Sequence, residues 1–221
     1  MTVEDIELAV GNRVYGGRLN VPDEPSSVGV LVLPGGGHGP YGGIFDRFSE
    51  EAAEAGMHVL RYQSWSGPLE FQNKTYGMVH EEMDAAVGRL QAEGCETIYL
   101  VGKSFGGGVA LTYVPAAVDR MVLWSPAMRV AEGASLEDVI DVVLQDLEEP
   151  PLSPEALTDI DVPVGVVQGD ADEVQLPRFT EEVVDGIPQG ELIEVEGLDH
   201  SYSDREWGQH VTELTLEYLT R

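Results

Sequence analysis

Residues 97–112 read Thr-Ile-Tyr-Leu-Val-Gly-Lys-Ser-Phe-Gly-Gly-Gly-Val-Ala-Leu-Thr. A β-branched, apolar run passes through Gly102-Lys103-Ser104-Phe105-Gly106 into a segment of helical character. This is a G-x-S-x-G pattern set between a strand and a helix. The two glycines flank the serine because a turn this sharp leaves no room for side chains two residues away. The turn exposes the Ser104 hydroxyl at a helix N-terminus, where backbone N–H groups and the helix dipole favour a developing negative charge. The bland reading is a glycine-rich turn with an incidental serine, since so short a pattern arises by chance. Which reading holds depends on what the rest of the chain supplies.

Working outward, strand-like runs lie at 6–10, 14–19, 29–33, 58–62, 97–101, 120–124, 162–168 and 192–195. Val30-Leu-Val-Leu33 and Val164-Gly-Val-Val167 are continuously apolar, as suits strands covered on both faces of a mostly parallel sheet. Helical periodicity lies between them: Val79, Met83, Val87 and Leu90 share one face, as do Trp207, Val211, Leu214 and Tyr218. Ser203-x-x-Glu206 has the form of a capping box for that last helix. The alternation predicts one α/β domain over residues 1–221, its central sheet mostly parallel with helices on both faces. Residues 126–161 break the rhythm with one helical pattern, 136–147, capped by Ser135 and bounded by Pro150, Pro151 and Pro154. This stretch is too long for a plain loop and predicts a small cap-like insertion.

Ligands of open α/β sheets bind beyond the carboxyl ends of the strands. Two such ends carry the partners a serine nucleophile needs. The run to Gln168 empties into Gly169-Asp170-Ala171-Asp172-Glu173-Val174, and the next ends in Glu196-Gly197-Leu198-Asp199-His200-Ser201-Tyr202. The chain order is Ser, acid, His. With these three motifs the chain resembles the α/β-hydrolase superfamily over nearly its whole length, in the compact form of dienelactone-hydrolase-like and small esterase members. The resemblance implies a catalytic triad of Ser104, Asp172 and His200. The family's Gly-x-x-Asp-x-x-Val matches Gly169, Asp172 and Val174, with the valine one place early. That favours Asp172 over Asp170, which reads as a turn residue accepting backbone hydrogen bonds. His58, His80 and His210 fall on other elements and read as surface or packing residues.

The resemblance also implies an oxyanion hole after Val30-Leu-Val-Leu33, in Pro34-Gly35-Gly36-Gly37-His38-Gly39-Pro40. The family has His-Gly here; Pro34 stands in the histidine's place, and the backbone N–H of Gly36 becomes one donor, with Gly37 as the alternative. The N–H of Phe105 is the other. A phosphate-binding loop is the rival reading, but the G-K-[ST] ending and the dinucleotide spacing are both missing. Gly37, His38, Trp65, Met128 and Tyr202 are candidate substrate-binding residues, with Phe105 and Trp124 as further walls; plain core is the competing reading for the apolar ones. Dienelactone hydrolases carry cysteine at the elbow, so Ser104 does not imply their specific activity. Cys95 lies before the strand and reads as a small packing residue.

The 221 residues carry 40 acidic and 12 basic side chains, a formal net charge of −28. Phosphate binding needs a basic footprint, so neither nucleic acid nor an anionic membrane is an expected partner. The acids never run more than two together and form a coat, not a tail. Only Lys74 and Lys103 are lysines; the other ten cations are arginines. This acidic, lysine-poor balance resembles proteins of salt-accumulating halophiles, whose brine screens self-repulsion over about 3 Å at molar salt. The acidic start lacks the positive charge of a secretory signal, no apolar run reaches spanning length, and the lone cysteine excludes a disulfide framework. The expected protein is a cytoplasmic serine hydrolase that uses no cofactor or metal and cleaves a small carboxylic ester or related acyl bond. A thioesterase or peptidase of the same fold, or a non-catalytic ligand-binding relative, is the alternative.

Overall fold

A computed structural model describes residues 1–37, 39–66, 70, 74–127, 154–202 and 204–221. The predicted helix at 136–147, and most of the predicted insertion, lie outside the described residues.

All eight predicted strands form, as β1 (Thr2–Val10), β2 (Arg13–Val21), β3 (Val28–Leu33), β4 (His58–Tyr62), β5 (Thr97–Lys103), β6 (Val118–Trp124), β7 (Val164–Gly169) and β8 (Gly190–Val195). They make one sheet in the order β1-β2-β4-β3-β5-β6-β7-β8. The β1–β2 and β2–β4 pairs are antiparallel, and every later pair is parallel. Edge strand β1 carries Glu4, Asp5 and Glu7 exposed, which discourages edge-to-edge pairing with another chain.

The period of two along each strand sorts the core into two layers. Leu31 and Leu33 of β3 face one side with Leu60, Leu100, Leu123 and Val166. Val30 and Val32 face the other with Val59, Val101, Val122 and Val167. Helices α2 (Tyr76–Ala92) and α3 (Phe105–Thr112) cover the first face, joined by α5 (Pro177–Gly186). Helices α1 (Gly43–Glu54) and α6 (Arg205–Leu219) cover the second. A short helix, α4 (Pro154–Thr158), precedes β7.

The predicted helical faces are the ones that pack. Val79, Met83, Val87 and Leu90 of α2 are all buried, and the Thr75 side chain caps that helix by accepting from Met78 N at 3.1 Å. On α6, Val211 and Tyr218 are buried while Trp207 and Leu214 pack against the same cluster. Its cap differs from the expectation: Asp204, not Ser203, is the N-cap and accepts from Glu206 N at 2.8 Å. The helix starts one residue later than a box opened at 203 requires, and the Asp204 carboxylate satisfies the exposed N–H instead. Ser203 itself lies outside the described residues.

Gly169 closes β7 where the next loop crosses it. A Cβ at this position would lie 1.9 Å from the backbone oxygen of Leu198. Gly169→Ala should therefore destabilise by about 3 kcal/mol or more, which in a chain of this size lowers Tm by roughly 6–12 °C. Thermal melts check this, and an unchanged Tm contradicts it.

Candidate active site

The carboxyl ends of adjacent strands converge on one place. Beyond β3 lie residues 34–37, beyond β4 residues 63–65, and beyond β5 the Ser104 turn; β6 leads to Ser125, β7 to Asp172 and β8 to His200. Local backbone strain is concentrated here as well. Among the described residues, the non-glycines with positive φ are Ser104 (47°), Ser125 (42°) and Tyr202 (55°). Such conformations persist only where the surroundings over-determine them.

Ser104 caps α3 with φ 47° and ψ −116°. Its N–H donates to Trp124 O at 2.8 Å, and its carbonyl accepts from Gly108 N at 2.9 Å and Ala127 N at 2.8 Å. The flanking glycines have the steric role read from the motif. A Cβ on Gly102 would lie 2.9 Å from the Gly107 backbone, and one on Gly106 would lie 2.5 Å from Pro34 O. The Gly106 N–H instead donates to Pro34 O at 3.1 Å, tying the turn to the loop after β3.

The three side chains singled out in the sequence meet. Ser104 Oγ lies 2.9 Å from His200 Nε2, and His200 Nδ1 lies 2.9 Å from Asp172 Oδ2. Asp172 is buried, and its second oxygen accepts from Val174 N at 2.9 Å and Gln175 N at 2.8 Å. Burial pushes its carboxyl pKa upward, but hydrogen bonds from His200, Gln175 and Ser125, with the charge of His200, hold it below the ordinary aspartate value. Asp170 points elsewhere and accepts from Gly197 N at 2.5 Å, the turn role expected of it. A hydroxyl aligned on an imidazole whose far nitrogen faces a carboxylate can surrender its proton as it attacks an electrophile.

The other candidates divide. Gly36 is half-buried and Gly37 exposed on the loop after β3, and a Cβ on Gly35 would lie 3.4 Å from Ser104 Cβ. Phe105 follows the serine on α3. Trp65 is fully buried, so it presents no surface to a substrate: its ring packs edge-on against Phe105 at 5.2 Å, and its Nε1 donates to Gly35 O at 2.9 Å. Trp124 is likewise core, bonded through Nε1 to Thr215 Oγ1 at 2.9 Å. Tyr202 is buried, with its hydroxyl 3.3 Å from Ser125 Oγ. His38 and Met128 lie outside the described residues. His58 is buried at the start of β4, His80 stacks on Tyr113 at 4.7 Å, and His210 is exposed on α6. Among the described residues, no cluster of three His, Cys, Asp or Glu could hold a metal ion, and no helix is long and apolar enough to cross a membrane.

Two contributors escaped the sequence reading. Ser125, just beyond β6, helps hold the Asp172 carboxyl pKa down, and its Oγ lies 3.3 Å from the Tyr202 hydroxyl. Lys103, beside Ser104, donates from Nζ to the backbone oxygen of His200 at 2.6 Å and sits 3.8 Å above the Tyr202 ring. Lysine scarcity was the available signal: Lys74, the other one, is buried and paired with Glu82 at 2.8 Å.

No family model and no curated protein matches the sequence. Solved structures do match, along nearly the full length of both chains. A dienelactone hydrolase from Anabaena variabilis superposes with a TM-score of 0.76 at 18% identity, over 99% of this chain and 97% of its own. Est1E from Butyrivibrio proteoclasticus, with ferulic acid bound, gives 0.76 at 17% identity, over 98% and 100%. Esterase 2 from Thermogutta terrifontis, phosphoramylated by tabun, gives 0.77 at 18% identity, over 99% and 94%. The class is thereby defined: this chain has the α/β-hydrolase fold, in the form shared by dienelactone-hydrolase-like proteins and esterases.

Burial lowers the Lys103 pKa from 10.5 to about 8, against the opposing pull of Asp172 and Asp199. Between those values the unfolded chain holds this proton and the folded protein does not, so the contribution of Lys103 to stability rises with pH across that window. The Tm difference between wild type and Lys103→Met should shift in favour of wild type as pH rises from about 8 to about 10.5. A difference that stays constant with pH contradicts the assignment.

Proposed function

We propose that the protein is a serine hydrolase that cleaves a small, largely uncharged carboxylic ester or related acyl bond through an acyl-enzyme on Ser104. The observation that carries this reading is the pair of 2.9 Å contacts joining Ser104, His200 and Asp172. His200 Nε2 takes the hydroxyl proton as Ser104 Oγ attacks the carbonyl carbon, while Asp172 fixes the imidazole tautomer and stabilises the imidazolium. The N–H groups of Gly36 and Phe105 receive the oxyanion, worth about 3 kcal/mol per donor in comparable sites. Collapse expels the alcohol, which takes its proton from His200. Water deprotonated by the same nitrogen then releases the acid. A purely ligand-binding role would leave this alignment without a use.

The dense acidic coat disfavours anionic substrates. It also supports a salt-rich cytoplasm as the working solvent: the formal charge is −28, and both lysines are spent on internal contacts, not on the surface. Full folding and activity after dialysis into dilute buffer would remove that support.

A fluorophosphonate probe at molar salt should label the wild type, fail on Ser104→Ala and react weakly with His200→Ala. An unlabelled wild-type protein overturns the reading. With p-nitrophenyl esters of graded acyl length, Asp172→Asn should lose on the order of 10⁴-fold in kcat. Asp170→Asn should keep its kcat within about threefold, because only a turn bond is altered. Equal losses would contradict the choice of Asp172.

A further inference from the structure

An oxyanion hole works only if its N–H groups are aimed before charge develops. Around Gly36 the chain reads Pro34-Gly35-Gly36-Gly37, with no side chain to fix the peptide planes. Something outside the loop must do so. The Gly106 N–H holds Pro34 O at one end of it, and further contacts come from Arg61, Gln63 and Trp65 at and just beyond the end of β4. Arg61 Nη1 donates to Pro40 O at 3.2 Å. The Gln63 amide lies against Gly39, where a Cβ would come within 2.5 Å of Nε2, and donates to Trp65 O at 2.9 Å. Trp65 Nε1 donates to Gly35 O at 2.9 Å.

The last bond bears on chemistry. In a planar trans peptide the carbonyl of Gly35 and the N–H of Gly36 point in opposite directions. A donor that holds the carbonyl on one side therefore sets the N–H on the other. It also polarises the amide and makes that N–H a stronger donor. The same indole meets the Phe105 ring edge-on at 5.2 Å and 79°, so one side chain touches one residue assigned as an oxyanion donor and the carbonyl of the peptide that carries the other. Trp65 is fully buried. It is backed by Lys74, whose ammonium lies 5.9 Å from its ring and is bonded to Glu82 and to Ser64, the neighbour of Trp65.

We infer that Trp65 is the positioning residue of the oxyanion hole: its indole N–H clamps the Gly35–Gly36 peptide so that the Gly36 N–H faces the space beside the Ser104 hydroxyl. This rests on the serine-hydrolase reading above. A phenylalanine at 65 would serve packing alone; the donor is what it lacks.

Trp65→Phe tests the clamp. The expected result is a kcat roughly 10- to 100-fold lower on a p-nitrophenyl ester, less than the cost of deleting a donor outright. KM should stay within about twofold, because ground-state binding does not use the oxyanion contact. Affinity for a trifluoromethyl ketone, whose adduct is tetrahedral, should fall by the same factor as kcat. A variant with wild-type kcat and ketone affinity but a lower Tm overturns the inference and leaves the hydrolase reading intact. A wild-type protein inert to the fluorophosphonate overturns both. Should the variant fail to fold, the wild type carries the test through its indole ¹H–¹⁵N signals, assigned with Trp124→Phe and Trp207→Phe. Saturation with the ketone should shift the Trp65 signal, and an unmoved signal overturns the clamp.

Discussion

The left-handed backbone at Ser104, φ 47° and ψ −116°, is a conformation that a residue with a side chain keeps only under compulsion. The compulsion comes from three directions. The Ser104 amide is bound to the end of β6 through Trp124, its carbonyl is bound by Gly108 and Ala127, and Gly106 is bound to Pro34 at the end of β3. None of these bonds forms unless α3 starts directly against the neighbouring strands, and that approach requires bare Cα atoms at 102 and 106. The strain that presents the hydroxyl also fixes how far it lies from the β3 loop and from the β6 end. The Ser104 turn and the loop after β3 therefore share one frame.

Around that frame the protein places its scarce cations inside. Lys103 ties the nucleophile turn to the backbone of the histidine loop, Lys74 neutralises the buried Glu82 behind Trp65, and Arg61 braces the loop after β3 at Pro40. Buried charges are tolerated only with such partners. Each of these groups holds a segment that carries a candidate site residue. Arg61 is itself paired with the partly exposed Asp46. Among the described acidic side chains, Asp172 is the one hydrogen-bonded to His200.

Much of this was legible in the sequence because it is local or periodic. Val30-Leu-Val-Leu33 had to be covered on both faces, and its alternate residues do enter different core layers. Asp172 over Asp170 followed from a two-residue difference in spacing from Gly169, and the geometry brings Asp172, not Asp170, to His200. The cap of α6 was misplaced by one residue because Ser203 and Asp204 are both good caps and only the path of the chain chooses between them. Trp65 read as a pocket wall because exposure cannot be seen in one dimension. It is buried, and what it offers the site is a hydrogen bond to a loop thirty residues earlier.

By itself the sequence determined the strand–helix alternation, the strained serine turn, and the order of Ser104, Asp172 and His200, since each is written in residues adjacent along the chain or repeating at a fixed period. The tertiary structure decided which groups stand behind the candidate site residues: Lys103 on the His200 loop and Trp65 on Gly35. Those contacts join different strand ends, and their distances depend on sheet order, twist and register. No local pattern of residues encodes these.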